Sequence, residues 1–152
     1  MTPEERLAEL GLAVPDVAAA VAAYVPAVRT GSYVYTSGQL PWREGELMHT
    51  GKVGSEVSPE EAHDCARQCV LNALAAIRSE VGDLSAITRV VKVVGFVASN
   101  PGFTGQPQVV NGVSELLTQV FGDAGQHARS AIGVAVLPLD APVEVELVVE
   151  VG

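Results

Sequence analysis

Two long helical segments alternate with strand-like segments along this chain, and that order constrains the fold more than any other feature. Ser58–Glu61 has the pattern of a helix start: a hydroxyl cap, a proline in the first turn and a glutamate three residues after the cap. This first long helix is predicted to run to about Val81 and to end at Gly82. Pro107 opens a second long helix, which Gly122 ends.

The strand-like segments are marked by branched and aromatic residues or by strict alternation. Residues 25–37 predict a β-hairpin that turns at residues 30–32. Residues 88–98 and 131–137 are nearly continuous apolar runs, as in buried strands. Residues 143–151 alternate between apolar and mainly acidic side chains, which is typical of a strand with one buried face.

The predicted order is β-β-α-β-α-β-β, which indicates an α+β fold. Two helices suffice to cover one face of a sheet of about four to six strands, so we expect a two-layer sandwich with both long helices on one face. The runs at 90–97 and 131–137 are apolar on both sides of the strand, and an exposed sheet face would not favour that. A contiguous apolar face of this size predicts oligomerisation.

The length of 152 residues predicts a single domain over residues 1–152. Residues 1–21 are predicted to form an N-terminal helix, which begins at Thr2 and ends at Gly11, followed by an irregular arm packed on the body. The first residues are acidic rather than basic, unlike a secretory signal, and no apolar run reaches the roughly 18 residues of a membrane span. We therefore expect a cytoplasmic protein with no membrane partner.

The charge balance argues against nucleic acid as a partner. Nine basic and eighteen acidic residues give a net charge of −9, which repels a phosphate backbone, and no cluster of lysine or arginine relieves this locally. A small anionic ligand remains compatible with the charge if a few arginines are focused in one pocket.

Metal and cofactor motifs are absent. Cys65 and Cys69 lie four residues apart in a helical pattern and are interpreted as small core residues, and with His63 they lack the spacing of a zinc site. His49 and His127 are isolated and, like His63, are interpreted as surface residues or residues with satisfied hydrogen bonds. No phosphate-binding loop, dinucleotide fingerprint or nucleophile elbow is present, so we expect neither cofactor nor metal.

Two polar residues are candidates for chemistry. Arg129 lies at the mouth of the apolar strand 131–137, where a guanidinium can hold a small carboxylate through two parallel hydrogen bonds. Glu144 begins the polar face of the last strand, where a partly desolvated carboxylate can hold and activate water. A solvated strand end and a wet sheet face are the alternative interpretations.

These two candidates are far apart if the last two strands form a hairpin. With Val136 opposite Val143, Arg129 and Glu144 would be about six residues out of register and about 20 Å apart. They could share a site only through a bulge, a bent strand or a neighbouring subunit.

Three motifs resemble those of the YjgF/RidA family. Residues 33–41, YVYTSGQLP, are similar to the family's YTSGQ-P segment. Residues 128–138, ARSAIGVAVLP, resemble its closing ARS-x-V-x-V-x-x-LP signature, and residues 143–146, VEVE, resemble the VEIE that follows. The resemblance covers about residues 22–151.

The resemblance implies a chorismate-mutase-like fold with one mixed β-sheet, in a homotrimer whose sheets form a central barrel with ligand clefts between subunits. The implied activity is that of an imine deaminase: a hydrolase that converts small 2-imino or enamine acids to 2-keto acids and ammonia, without cofactor or metal. The implied partner is a small-molecule carboxylate substrate. The alternatives are a non-catalytic trimeric binding protein for keto acids or related carboxylates, and an endoribonuclease, which the net charge opposes.

The resemblance also implies which residues form the site. Arg129 would bind the substrate carboxylate, and Glu144 would position the attacking water. The implied substrate-binding residues are Tyr24, Ser37, Gly38, Asn111 (at the subunit boundary) and Ala131 (through its backbone N–H). Ala131 stands where the family often has cysteine, and Gln126-His127 replaces a frequent Phe-Pro, so the chain is identified as a member of a divergent subgroup.

Overall fold

The computed structural model describes residues 1–18 and 23–152. In chain order its helices and strands are α1 (Pro3–Glu9), β1 (Ala27–Thr30), β2 (Tyr33–Thr36), β3 (Trp42–Arg43), β4 (Glu46–Leu47), α2 (Pro59–Val81), β5 (Ile87–Ala98), α3 (Gln106–Phe121), β6 (Ala128–Val134) and β7 (Val143–Val151). Short 3-10 turns occupy Leu84–Ala86, Gly122–Gly125 and Pro138–Asp140. The predicted α+β fold with two long helices is confirmed, and the β3–β4 hairpin is added to it.

The helix starts form through the local hydrogen bonds that the sequence predicts. The backbone N–H of Glu61 donates to the Ser58 hydroxyl at 3.1 Å, and the Ser58 N–H donates to the Glu61 carboxylate at 2.9 Å. Thr2 and Glu5 repeat the same reciprocal pair at the start of α1. These contacts satisfy backbone donors that have no partner inside the helix, and Gly82 ends α2 with a positive φ of 86°.

The main sheet has the strand order β1-β2-β7-β5-β6, and its β5–β6 pair is parallel whereas the others are antiparallel. The mixed sheet is therefore confirmed. The last two strands, β6 and β7, do not form the hairpin considered from the sequence, because β5 lies between them. The chain reaches β6 through the crossover helix α3, which returns it parallel to β5.

The bounds of β6 also differ from the prediction of 131–137. Pairing with β5 begins at Ala128, opposite Lys92, and ends at Val134, opposite Ala98. An apolar run shows that a segment is buried but not where its hydrogen-bonded partner begins, so the sequence could not place this start. As a result Arg129 lies within the strand rather than at its mouth.

The two faces of the sheet have different surroundings. The helices α2 and α3 cover the face to which alternate residues of β7 point, and these residues are buried: Val143, Val145, Leu147, Val149 and Val151. We call this the helix face. The opposite face, which we call the open face, carries Glu144, Glu146 and Glu150 together with partly exposed apolar side chains such as Tyr35 and Ile132.

The N-terminal arm packs on the body over the part that the structure describes. Leu12 and Val14 contact the core, and an Arg78 guanidinium N–H donates to the Val14 carbonyl at 3.5 Å. The part of the predicted arm at residues 19–22 lies outside the described residues. Among the described helices, none combines the length and the apolar character that crossing a membrane requires.

The two long helices pack closely at Gly112 of α3. A Cβ atom at this position would lie 2.4 Å from the His63 carbonyl oxygen of α2 and 3.4 Å from the Ala66 Cβ. The absence of a side chain therefore sets the depth at which α3 packs against α2.

We expect Gly112→Ala to destabilise the fold, although alanine favours a helix by about 1 kcal/mol over glycine. The new methyl group meets backbone atoms that cannot move independently, so the free energy of unfolding should fall by about 1–3 kcal/mol in urea denaturation. Gly102→Ala is the matched control, because an added Cβ there meets nothing within 4 Å. Equal stability of the two variants would contradict this account of the helix packing.

Candidate functional site

The guanidinium of Arg129 is held against α3. Arg129 is the register partner of buried Val93, so its side chain points to the helix face. Its Nη1 donates to Asn111 Oδ1 at 2.7 Å and to Ser114 Oγ at 3.3 Å. Asn111 and Ser114 are three residues apart and thus on the same side of α3. Ala131, two residues along β6, packs on the core from the same face.

We call Asn111, Ser114, Arg129 and Ala131 the arginine half-site. Both hydrogen bonds described for Arg129 use Nη1, which leaves Nε and Nη2 available to a ligand. These two nitrogens form one edge of the planar fork and match the two oxygens of a carboxylate. The half-site therefore has the geometry to bind a small acid.

His127 adds to the arginine half-site, which the sequence did not indicate. Its Nε2 lies 2.9 Å from Ser114 Oγ, and its Nδ1 lies 2.6 Å from the Gly125 carbonyl oxygen. Ser114 and His127 were both missed as site residues, because nothing in the sequence links them to Arg129 before α3 is packed on β6.

Glu144 lies on the open face beside a bulge in the neighbouring strand. Strand β2 pairs with β7 as far as Tyr35 opposite Val148, and pairing resumes with Gln39 opposite Val145. Three residues of one chain segment thus oppose two of the other, which is a β-bulge. Gly38 lies in this bulge, and a Cβ there would be 2.1 Å from the Glu144 Oε2. The carboxylate occupies the space that a side chain at position 38 would need.

Ser37 precedes Gly38 in the bulge and is bonded to the segment that follows Tyr24. The Ser37 backbone N–H donates to the Pro26 carbonyl at 2.8 Å, and its hydroxyl donates to the Val25 carbonyl at 2.6 Å. These bonds fix the segment that begins at Tyr24, whose side chain is 49% exposed. We call Tyr24, Ser37, Gly38 and Glu144 the glutamate half-site.

The environment of Glu144 makes its carboxylate a stronger base. Burial raises its pKa above the ordinary glutamate value, and repulsion from Glu146 on the same face adds to the increase. A carboxylate with a raised pKa accepts a proton from water more readily at neutral pH than an ordinary glutamate does. Glu144 therefore has the chemistry of a general base.

Within one chain, the two half-sites do not meet. Arg129 is level with Val93 of β5, whereas Glu144 is level with Phe96, and β5 separates the two strands. With about 4.8 Å between strands and about 3.3 Å per residue, their Cα atoms are about 14 Å apart. Their side chains also point to opposite faces of the sheet. This distance is shorter than the expected value of about 20 Å. It is still too long, and the two side chains still lie on opposite faces, for one small molecule to touch both groups in one chain.

The two cysteines and a separate pocket lie outside both half-sites. Cys65 and Cys69 are free and fully buried, and burial raises the pKa of Cys65 to about 12. A pocket of about 600 Å3 lies between the N-terminal arm and residues 42–45, and neither half-site lines it. Among residues 1–18 and 23–152, no group of three or more His, Cys, Asp or Glu side chains comes together to hold a metal ion.

Comparison with known proteins gives matches over almost the whole chain. The family described as "YjgF/chorismate_mutase-like, putative endoribonuclease" matches residues 4–151. The Trypanosoma cruzi protein TCP17 is 42% identical over 147 residues, which cover 96% of this chain and 92% of that protein. A 2-iminobutanoate/2-iminopropanoate deaminase of Salmonella typhimurium is 33% identical over 140 residues, which cover 90% of this chain and 94% of that enzyme.

A solved structure supports the fold over the same extent. The crystal structure of the Agrobacterium tumefaciens protein Atu1372, described as of unknown function, has a TM-score of 0.93 and 44% sequence identity to this chain. The match covers 99% of this chain and 92% of that one. The residues of both half-sites lie within the matched region of the family.

We expect Glu144→Gln to stabilise the fold at neutral pH. Because the folded-state pKa is raised, ionising Glu144 costs stability as pH rises from its unfolded pKa through its folded pKa, and a neutral amide avoids that cost. The gain should stay below about 1 kcal/mol, because solvent screens a half-exposed group. Thermal unfolding across pH 3 to about 8 checks this: the difference from the unmodified protein should shrink in acid.

Glu80→Gln, at an exposed position near the end of α2, is the control for this measurement. It removes the same charge without relieving any burial and should show no pH-dependent gain. A similar stability curve for both variants would mean that Glu144 is not desolvated.

Proposed function

This chain belongs to the YjgF/RidA family, and we propose that within it the chain hydrolyses small 2-imino or enamine acids to 2-keto acids and ammonia. The observation that carries this proposal is the anchored guanidinium of Arg129, with Nε and Nη2 available to a carboxylate. We place this activity in the cytoplasm, where enzymes that use pyridoxal phosphate release such reactive acids.

Arg129 is proposed to bind the substrate carboxylate. A bidentate pair fixes the plane of the carboxylate as well as its position, and the adjacent C=N carbon is thereby oriented. The backbone N–H of Ala131 and the side chain of Asn111 are proposed to complete the contacts with the substrate. No redox step is needed, so the carboxylate anchor and a water molecule provide what the reaction requires.

Glu144 is proposed to activate the water. The carboxylate takes a proton from water as the oxygen adds to the C=N carbon, and it passes that proton to the imine nitrogen, which gives a carbinolamine. It then takes the proton of the carbinolamine hydroxyl and delivers it to the nitrogen as the C–N bond breaks, so that ammonia leaves, the keto group forms and the carboxylate is regenerated. The raised pKa of Glu144 favours the first proton transfer, and Gly38 leaves the space beside the bulge that the carboxylate occupies. Ser37, whose hydroxyl donates to the Val25 carbonyl, is proposed to line the same pocket.

A homotrimer is proposed to bring the two half-sites together. The half-sites lie on opposite faces of one sheet, so a substrate that touches both must lie between two subunits. The open face carries partly exposed apolar side chains, including Val28, Tyr33, Tyr35 and Ile132, which suit burial against another copy. Tyr24 would then line the cleft between subunits.

The family description includes an endoribonuclease, and the charge of this chain weighs against that activity. A net charge of −9 disfavours a phosphate backbone, whereas one anchored arginine suits a single small carboxylate. Binding of keto acids without turnover is the remaining alternative and is an outcome of the assay below.

We expect the protein to accelerate keto-acid and ammonia release from 2-iminobutanoate or 2-aminoacrylate generated enzymatically in the assay. Arg129→Ala should lower kcat/KM at least about 100-fold, because both charge-assisted hydrogen bonds to the carboxylate are lost. Arg29→Ala, which removes an exposed arginine on the opposite edge strand, should leave kcat/KM unchanged. Calorimetric keto-acid binding with no acceleration over buffer would instead indicate a binding protein.

We expect activity to return when Arg129→Ala and Glu144→Gln subunits are assembled together. If Arg129 of one subunit and Glu144 of the next form one site, random mixing restores both groups in about a quarter of the sites. Each variant alone should be inactive, and light scattering should give three times the mass of one chain. A trimeric but inactive mixture would show that the two groups do not act together across subunits, and activity in either variant alone would show that the substituted group is not required.

A further inference from the structure

A chain of four hydrogen-bonded groups leads from the turn before β6 to the guanidinium. The Gly125 carbonyl can only accept, so His127 Nδ1 carries the proton in the 2.6 Å contact between them. In the neutral ring, Nε2 is then an acceptor, and the Ser114 hydroxyl donates to it at 2.9 Å. The Ser114 oxygen keeps its lone pairs for Arg129 Nη1, which donates at 3.3 Å. The neutral ring allows only one direction for each link.

Three parts of the fold meet here. Ser114 belongs to α3, Arg129 belongs to β6, and His127 follows the 3-10 turn Gly122–Gly125 that joins them. His127 and Arg129 are two residues apart and so point to the same face, toward α3. All three side chains are partly buried. These contacts therefore link the guanidinium to α3 through Ser114, and through His127 to the Gly125 carbonyl in the turn that joins α3 to β6.

We propose that Ser114 and His127 are positioning residues for Arg129, which rests on the carboxylate-binding role of Arg129 proposed above. Arginine has many rotamers, and a single hydrogen bond from Nη1 to Asn111 lets the guanidinium plane rotate about that contact. The second bond to Ser114 removes this rotation. The fork is then oriented before the ligand arrives, which lowers the entropy lost on binding.

His127 has a separate part in this arrangement. A serine hydroxyl inside a helix can turn back to the carbonyl four residues earlier, here Val110, and its lone pairs then point elsewhere. The acceptor at His127 Nε2 holds the Ser114 proton away from that carbonyl. The lone pairs of Ser114 consequently stay directed at Arg129.

Steady-state kinetics with the imino-acid substrate tests the positioning role. Ser114→Ala and His127→Leu should each raise KM about five- to tenfold with kcat nearly unchanged, because the carboxylate is held equally in ground and transition states. Ser114→Thr keeps the hydroxyl and should restore KM. Thr118→Ala is the matched control, because it removes an exposed hydroxyl one turn further along α3 that donates to the Ser114 carbonyl and does not contact Arg129.

Nitrogen NMR of the same proteins separates this inference from the proposed function. The unmodified protein should show His127 with its proton on Nδ1 and slow rotation of the Arg129 guanidinium. Ser114→Ala should lose the slow rotation and keep the proton on Nδ1, because the Gly125 carbonyl still accepts it. If the protein does not hydrolyse imines but shows these signals, the proposed function fails and the positioning network stands. If an active protein shows His127 protonated on Nε2, or if Ser114→Ala matches Thr118→Ala in KM, the inference is overturned and the function stands.

Discussion

The position of Arg129 on the helix face of an edge strand is the constraint on which the rest of the site depends. Asn111 and Ser114 reach its guanidinium only because α3 lies deep against α2, and Gly112 permits that depth. Among the described residues no strand other than β5 pairs with β6, and the hydrogen bonds described for Arg129 leave Nε and Nη2 unused. Packing of two helices and the alternation of one strand thus determine where the guanidinium lies.

Glu144, unlike Arg129, has to be partly removed from water to act as a base, and its position beside the bulge provides this. A base near neutral pH needs partial desolvation, which costs stability in the isolated chain because no described cation lies near it to offset the burial. The bulge with Gly38 accommodates the carboxylate without displacing the strand. In the proposed assembly, Arg129 of a neighbouring subunit approaches this carboxylate, so the attraction between them would favour association and offset part of the cost of burial.

The parts of this fold that could be predicted depend on local contacts. Ser58 and Glu61 interact within one turn, so the start of α2 was predictable, and the alternation of residues 143–151 gave the buried face of β7. The partner of β6 was not predictable, because β5 and β6 pair across an intervening helix. For the same reason His127 was interpreted as isolated, although it contacts a residue thirteen positions earlier. The motif resemblance indicated Gly38, and only the structure gives its physical reason.

Division of the proposed site between two half-sites would also explain why so few polar residues suffice. In that proposal the arginine half-site fixes the acid group and the glutamate half-site supplies the base, so neither has to contact the remainder of the substrate. Selectivity for the remainder of the substrate must then come from other residues that border the cleft. Phe96 is a candidate, because it is paired with Glu144 across β5 and β7 and lies on the same open face. A partly buried aromatic ring beside the base favours small apolar substituents over charged ones, since a charged group there would lose hydration without a partner. Burial on this same face raises the pKa of Glu144, so in the proposed site the surroundings that would select the substituent are also those of the base.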